Sequence, residues 1–170
     1  MEKLSQHLEK IILIRHADSL DRAVFAKKNS NDLERPLSKL GKKQSKKISK
    51  FLKKLHGRMP ISSLLVSSAK RTMQTIKPFY KKHKNLCKKC DLILPECGIE
   101  GYLKALRSTN GNVIVLVGHQ FDLGNFVEYA TLKQNLTFKK GVIIELTRKK
   151  GVSEVKGGFY ITLLITPEYL

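Results

Sequence analysis

The chain has 170 residues, 41% of them apolar, which is enough for one domain with a hydrophobic core. Lys and Arg number 33 against 14 Asp and Glu, and the net charge of +19 favours phosphorylated substrates, acidic protein surfaces or nucleic acid without choosing among them. No apolar run approaches the roughly 18 residues that span a bilayer, and three clustered cysteines do not resemble a secreted disulfide framework, which argues against membrane and disulfide-rich classes.

The first ten residues are polar, and a short strand-like run follows them directly. This start predicts neither a signal peptide nor a membrane anchor, and the few cysteines favour a reducing, cytoplasmic setting. No internal repeat, low-complexity tail or long linker divides the sequence. We therefore expect a single domain over residues 1–170.

In the first half of the chain, a short apolar run at residues 11–14 predicts the first strand. A polar, irregular stretch over residues 17–35 follows it. Ser38 then caps a helix whose predicted inner face carries Leu40, Ile48, Phe51, Leu52 and Leu55. A second strand at residues 63–67 and a second helix at residues 69–84 come next.

In the second half, a third strand is predicted at residues 91–94, followed by a helix that contains Tyr102, Leu103 and Leu106. Five consecutive apolar residues at 113–117 indicate a central strand buried on both faces, and a helix over 121–129 follows. Residues 141–147 and 159–166 flank a Lys- and Gly-rich turn and predict an antiparallel pair. The alternation predicts a three-layer α/β/α fold, with a mostly parallel central sheet and an antiparallel C-terminal edge.

Three of the predicted strands run directly into unusual polar residues. These are Arg15-His16, the segment Ser67-Ser68-Ala69-Lys70-Arg71, and Gly118-His119. The carboxyl ends of parallel strands line the crevice where an open α/β sheet binds ligands, so these residues are expected to converge. Two histidines, two arginines and nearby helix amino termini suit a tetrahedral dianion such as phosphate.

The ordered motifs resemble those of the histidine phosphatase superfamily over about residues 11–144. They read Leu-Ile-Arg-His-Ala-Asp at 13–18, Glu-Arg-Pro-Leu-Ser at 34–38, Val-Ser-Ser-Ala-Lys-Arg-Thr-Met-Gln-Thr at 66–75, and Leu-Val-Gly-His at 116–119. The short length and the Arg-Pro-Leu-Ser segment are most similar to the SixA-like phosphohistidine phosphatases. The larger phosphoglycerate mutases and fructose bisphosphatases carry insertions for which this chain has little room.

The resemblance implies that His16 is the nucleophile, that Arg15 and Arg71 bind the phosphoryl oxygens, and that His119 completes the pocket. Such an enzyme forms a phosphohistidine on His16 and needs no cofactor. Asp18 and Arg35 are further candidates for binding the substrate. Ala17 and Asp18 depart from the Gly and Glu or Gln that many members have after the histidine, and Asp18 is a possible acid.

The superfamily's usual proton donor is a carboxylate in the middle of the chain, for which Glu96 is the nearest candidate. An alcohol that leaves from phosphorus needs a proton, whereas phosphohistidine needs less help. A short chain without an obvious acid therefore favours a protein phosphohistidine substrate, for example on a histidine phosphotransfer domain. The alternative is a small phosphate ester of a sugar or nucleotide.

Two other functions compete with the phosphatase. Four potential zinc ligands occur at His83, Cys87, Cys90 and Cys97, but nothing around them resembles a zinc module, so free thiols and no metal are expected. Paired lysines could instead make the chain a polyanion or nucleic-acid binder; the pairs are Lys42-Lys43, Lys46-Lys47, Lys81-Lys82 and Lys88-Lys89. They fall on several predicted elements and lack interleaved aromatic residues, so nucleic acid is the less favoured partner.

Overall fold

A six-stranded sheet forms the middle of the structure. The structure is a computed structural model that describes residues 7–170, and the first six residues of the polar start lie outside the described range. The strands are β1 (Lys10–Arg15), β2 (Ser63–Val66), β3 (Cys87–Lys89), β4 (Val113–Gly118), β5 (Ile143–Arg148) and β6 (Phe159–Ile165). Their order across the sheet is β3-β2-β4-β1-β5-β6. The first four in this order are parallel, and β5 and β6 add an antiparallel edge.

The two central strands carry the most continuous apolar sequence. Every residue of β4 is buried, as are the four inner residues of β1, because helices cover both faces of the sheet. Lys10 of β1 is in register with Val113 of β4, and the pairing continues to Arg15 and Gly118. The polar residues that follow β1 and β4 therefore lie side by side at the carboxyl ends of these two strands.

Helices lie on both faces of the sheet and complete three layers. They are α1 (Arg22–Ala26), α2 (Lys39–Arg58), α3 (Lys70–Tyr80), α4 (Gly98–Arg107) and α5 (Asp122–Thr131). Helices α2 and α3 pack on the face that presents Ile12 and Ile14, and α4 and α5 pack on the face of Ile11 and Leu13. The predicted α/β/α architecture is thus confirmed. None of the helices within residues 7–170 has the length and apolar character to cross a membrane.

Helix α2 begins where the sequence predicts it. The Ser38 side chain accepts a hydrogen bond from the Gly41 amide at 3.0 Å, which satisfies one of the free amides of the first turn. Ile48 and Leu52 are fully buried on the inner face. Leu40 was expected on the same face, but its side chain is 56% exposed, so that part of the prediction is wrong.

The predicted third strand is also wrong in position. Residues 91–94 do not form a strand; Asp91–Ile93 is a 3-10 helix, and the strand is the preceding Cys87–Lys89. This strand lies at the sheet edge with two exposed lysines, so its sequence lacks the apolar run of a central strand. Helix α3 ends at Tyr80, four residues early, because residues 84–86 form a separate 3-10 turn. The stretch 17–35 includes α1 and another short 3-10 helix, Asp32–Glu34.

Candidate active site

The carboxyl ends of β1, β2 and β4 meet at a cavity of about 260 Å³. This volume is slightly below the roughly 300–1,000 Å³ of drug-sized pockets, and it suits a phosphoryl group with a small attached group. Cationic side chains dominate the walls. The lining residues are Arg15, His16, Ser19, Arg22, Arg35, Arg71, Pro95, Glu96, His119, Gln120, Phe121, Asp122 and Lys140.

His16 is held in a single orientation directly after β1. Its amide donates to the Gly118 carbonyl at 3.0 Å, and its own carbonyl accepts from the Gly141 amide at 3.0 Å. The ring atom Nδ1 lies 2.8 Å from the Ala17 carbonyl oxygen. A carbonyl only accepts, so Nδ1 carries the proton, and in the neutral ring Nε2 keeps its lone pair.

The surroundings of His16 keep its ring neutral. The side chain is almost completely buried, and burial is the main cause that lowers its pKa to about 3. The bond to Ala17 opposes this shift, but the positive charges of Arg71, Arg15 and Arg35 add to it. At neutral pH the unprotonated Nε2 is therefore available as a nucleophile.

His119 follows β4 and lies beside His16, with 5.4 Å between the ring centroids. Burial first, and then the charge of Arg71, lower its pKa to about 2, so it too is neutral. Its Nε2 lies 2.8 Å from the hydroxyl of Ser67, a fully buried side chain. When this hydroxyl donates to Nε2, the ring carries its proton on Nδ1, which is buried without a hydrogen-bond partner among residues 7–170.

Arg15 and Arg71 line the cavity together with the two histidines. Arg71 is 1% exposed. Its guanidinium donates to the backbone carbonyl of Asp32 at 2.7 Å and lies 3.2 Å from the side-chain oxygen Oδ2 of the same residue. Arg15 donates to the Phe138 carbonyl. Burial lowers the pKa of both groups, that of Arg71 to about 10, and Arg71 stays charged at neutral pH.

Both arginines retain a buried donor without a protein acceptor. Within the described part of the chain, Nε of Arg15 and Nε of Arg71 have no hydrogen-bond partner. Buried donors of charged groups that stay unpaired cost about 1–3 kcal/mol or more each. An anion with several oxygens in the cavity would satisfy these donors together with Nδ1 of His119.

Asp32 joins three of the cavity arginines, and sequence reasoning missed it. Its Oδ1 accepts from Nε of Arg35 at 2.7 Å and lies 3.5 Å from Nε of Arg22, while Oδ2 contacts Arg71. Burial would raise the pKa of Asp32, but hydrogen bonding to Arg35 and the charges of the arginines lower it. The only local signal was its place three residues before Arg35.

The sequence of residues 11–99, just over half of the chain, matches the family model of the histidine phosphatase superfamily, branch 1. The chain belongs to the histidine phosphatase superfamily. It is therefore a phosphatase, as the motifs indicate. No curated protein sequence matches the chain significantly.

Solved structures of phosphatases share the fold over nearly their full length. The protein histidine phosphatase SixA complexed with tungstate is 20% identical with a TM-score of 0.72, and 94% of this chain covers 98% of that one. A SixA from Agrobacterium tumefaciens gives 19% identity and a TM-score of 0.73, with the same two coverages. A phosphoserine phosphatase from Entamoeba histolytica, in complex with phosphoserine, gives 12% identity, a TM-score of 0.63, and coverages of 95% and 98%. At these identities the likeness shows the fold.

In this histidine phosphatase, five of the six predicted site residues line one cavity. They are Arg15, His16, Arg35, Arg71 and His119. Arg35 is bound to Asp32, to the Ser19 hydroxyl and to the Leu20 carbonyl at 2.8 Å. Asp18 does not line the cavity; its carboxylate binds the Ser38 hydroxyl and, at 2.8 Å, Lys140 Nζ. Its role in substrate binding stays a prediction.

The structure separates the four potential zinc ligands of the phosphatase. Cys87 packs into the core on one face of the sheet, and Cys90 packs into the core on the other face. His83 instead stacks on Phe79, with 4.4 Å between the ring centroids. No group of three or more potential metal ligands occurs within residues 7–170.

Proposed function

We propose that the chain is a protein phosphohistidine phosphatase in which His16 accepts the phosphoryl group. The observation that carries this proposal is a neutral, oriented imidazole in the same cavity wall as three residues with buried donors that have no partner within residues 7–170: Nε of Arg15, Nε of Arg71 and Nδ1 of His119. A transferring phosphoryl group presents three equatorial oxygens, and preorganised donors stabilise the charge that it carries.

The first step forms a bond between Nε2 of His16 and phosphorus as the bond to the leaving group breaks. The Nδ1 proton stays on the ring and keeps its hydrogen bond to the Ala17 carbonyl, so the phosphorylated imidazole needs no rotation. The positive charge that develops on this ring is stabilised by that carbonyl and by the phosphoryl group itself. In the second step water attacks phosphorus, Nε2 of His16 leaves with its lone pair, and phosphate is released.

Three arguments support phosphohistidine on a protein as the substrate. Phosphohistidine leaves as neutral imidazole once its own ring is protonated, so it needs less help from an enzyme acid than an alcohol does. The chain also covers almost the whole length of two solved SixA structures, one named as a protein histidine phosphatase and the other as a phosphohistidine phosphatase. At the mouth of the cavity Phe121 is 76% exposed, a position where it can contact a partner protein.

A small phosphate ester is the second candidate substrate, and one specific feature favours it. Glu96 lies in the cavity wall, where its carboxyl group can give a proton to a leaving alkoxide. The fold is shared with a phosphoserine phosphatase as well as with SixA. The nature of the leaving group therefore separates the two candidates.

The deciding experiment compares a histidine-phosphorylated phosphotransfer domain with p-nitrophenyl phosphate as substrates of the wild-type protein. We expect the phosphoprotein to be preferred in kcat/KM, and His16→Ala to lose at least about a thousandfold on both substrates. Rapid quenching should trap an acid-labile, base-stable phosphoenzyme that His16→Ala cannot form. His83→Ala, which changes a histidine far from the cavity, is the control and should keep full activity.

Each contrary outcome overturns a different part of the proposal. Equal activity of wild type and His16→Ala would refute the mechanism. A preference for the aryl ester would leave the mechanism intact but refute the phosphoprotein substrate. If Arg71→Ala abolishes vanadate binding, the anion site is the catalytic cavity; salt-dependent nucleic-acid binding that ignores this change would instead support the polyanion binder.

A further inference from the structure

The carboxylate of Asp122 binds the backbone of the loop that forms one wall of the cavity. Its Oδ2 accepts from the Glu96 amide and its Oδ1 accepts from the Gly98 amide, both at 2.9 Å. Asp122 is 8% exposed and is the first residue of α5, three positions after His119. One buried carboxylate thus connects the helix that follows His119 with the loop that carries Glu96.

The loop conformation is one that binds an anion through its amides. The φ angle is 69° at Glu96, −74° at Cys97 and 64° at Gly98, so left-handed and right-handed residues alternate. Successive amides in such an arrangement point into a shared concavity, which the Asp122 carboxylate fills. A positive φ at a residue with a side chain is strained, and the hydrogen bonds from the Glu96 and Gly98 amides to Asp122 offset this strain.

Asp122 also supplies a missing cap. The N-cap of α4 is Cys97, whose side chain makes no cap hydrogen bond, and the Gly98 amide of the first turn is bound by Asp122 instead. A capping role alone could be filled by any hydrogen-bond acceptor at this position. It does not explain why the left-handed residue is Glu96 rather than glycine, in a wall shared with His16 and Arg71.

We propose that Asp122 is a positioning residue that holds Glu96 in the cavity wall as the proton donor to the leaving group. This inference rests on the proposed phosphatase function and extends it to leaving groups that need a proton. In the first step the Glu96 carboxyl proton moves to the leaving oxygen as the P–O bond breaks and the P–Nε2 bond of His16 forms. In the second step the Glu96 carboxylate takes a proton from the attacking water, which restores the starting state.

The test is the dependence of kcat/KM on leaving-group basicity in a series of substituted phenyl phosphates. With a positioned acid, the wild-type rate falls only slightly from p-nitrophenyl to phenyl phosphate. We expect Glu96→Gln and Asp122→Asn to lose about a hundredfold on phenyl phosphate and less than about fivefold on p-nitrophenyl phosphate. Glu100→Gln is the matched control and should behave as wild type, because Glu100 is an exposed carboxylate like Glu96 but does not line the cavity.

A double-mutant cycle separates positioning from a merely structural role. If Asp122 acts through Glu96, the double variant loses no more on phenyl phosphate than Glu96→Gln alone. If Asp122 has only a structural role, Asp122→Asn lowers kcat/KM equally on all substrates, and this loss multiplies with the loss caused by Glu96→Gln. That outcome, or a steep leaving-group dependence in the wild type, overturns the inference.

Failure of this inference is distinguishable from failure of the proposed function. His16→Ala inactivates the enzyme on every substrate if the mechanism is correct, whatever Glu96 and Asp122 do. If Asp122→Asn unfolds at the assay temperature, Asp122→Ser replaces it in the cycle because its hydroxyl keeps one acceptor for the loop amides. Circular dichroism melting of each variant establishes which of the two is used.

Discussion

At the scale of single residues, the proposed mechanism depends on which ring nitrogen carries a proton. His16 is fixed by a carbonyl that only accepts, so its tautomer follows from geometry alone. His119 is paired with a hydroxyl that can donate or accept, and its tautomer depends on the direction of that bond. A phosphoryl oxygen next to Nδ1 of His119 requires a proton there, which the Ser67 hydroxyl secures by donating to Nε2.

Two adjacent serines provide a direct test of this hydrogen bond. Ser67→Ala removes the partner of His119, and we expect kcat to fall about tenfold to a hundredfold with little change in KM. Ser68→Ala is the control, since the Ser68 hydroxyl binds the Asp91 carboxylate instead of a histidine. Steady-state kinetics on p-nitrophenyl phosphate measures both. Equal effects of the two substitutions would contradict the proposed role of Ser67.

The buried histidines also predict how stability depends on pH. An unfolded histidine binds a proton near pH 6.5, whereas His16 in the folded protein binds one only near pH 3. Between these values the unfolded state holds more protons, so the free energy of unfolding must fall as the pH falls.

Urea denaturation at pH 7 and pH 5 measures this effect. The free energy of unfolding of the wild-type protein should fall over this interval. That of His16→Asn should fall less, and the difference between the two proteins should be about 1 kcal/mol per pH unit. Between pH 7 and pH 9 the two proteins should change in parallel, because His16 is neutral in both states. Parallel behaviour between pH 7 and pH 5 as well would show that His16 is not held neutral by the fold.

At the scale of elements, helix α2 lies close to the backbone that follows β1 and so helps to position His16. A Cβ atom added to Gly41 would lie 1.8 Å from the Asp18 carbonyl oxygen, so only glycine fits at this contact. Gly57 near the other end of the same helix has no atom within 4 Å of such a Cβ. The two glycines of α2 therefore have opposite requirements.

Alanine at each position should change stability in opposite directions. Gly57→Ala should stabilise the protein by about 0.5–1 kcal/mol because alanine favours the helix. Gly41→Ala should destabilise it by about 1–3 kcal/mol and lower activity, because the Asp18 backbone and with it His16 must shift. Chemical denaturation and phosphatase assays check both, and a stabilised, fully active Gly41→Ala would show that the loop tolerates the displacement.

The sequence predicts elements well where local chemistry determines them. The apolar run of β4 and the Ser38 cap have local signatures, and the structure confirms both. Strand β3 has none, because an edge strand of three residues with two exposed lysines resembles a loop. The carboxylates Asp32 and Asp122 were missed for a related reason: only the fold brings Arg71 to Asp32 and the Glu96 amide to Asp122.

At the scale of the whole molecule, the excess of positive charge extends far beyond the cavity. Few of the lysines form ion pairs within the described residues, and the net charge of +19 belongs to the entire surface. Such a field attracts an acidic phosphoprotein over about a Debye length, roughly 10 Å at 0.1 M salt. A small phosphate ester meets only the local charges of the cavity. Salt should therefore affect the two substrates differently.

We expect kcat/KM on an acidic phosphohistidine protein to fall about tenfold between 50 and 500 mM NaCl, and that on p-nitrophenyl phosphate to fall only a few fold. Lys139→Glu, next to the cavity residue Lys140, should weaken the salt dependence on the phosphoprotein. Lys150→Glu, in a groove with Lys10 at the opposite end of β1 from the cavity, changes the net charge equally and is the control. Equal effects of both variants would show that total charge, rather than charge at the cavity mouth, guides the partner. A larger salt effect on the aryl ester would instead contradict protein docking, because the smaller substrate has fewer charges to screen.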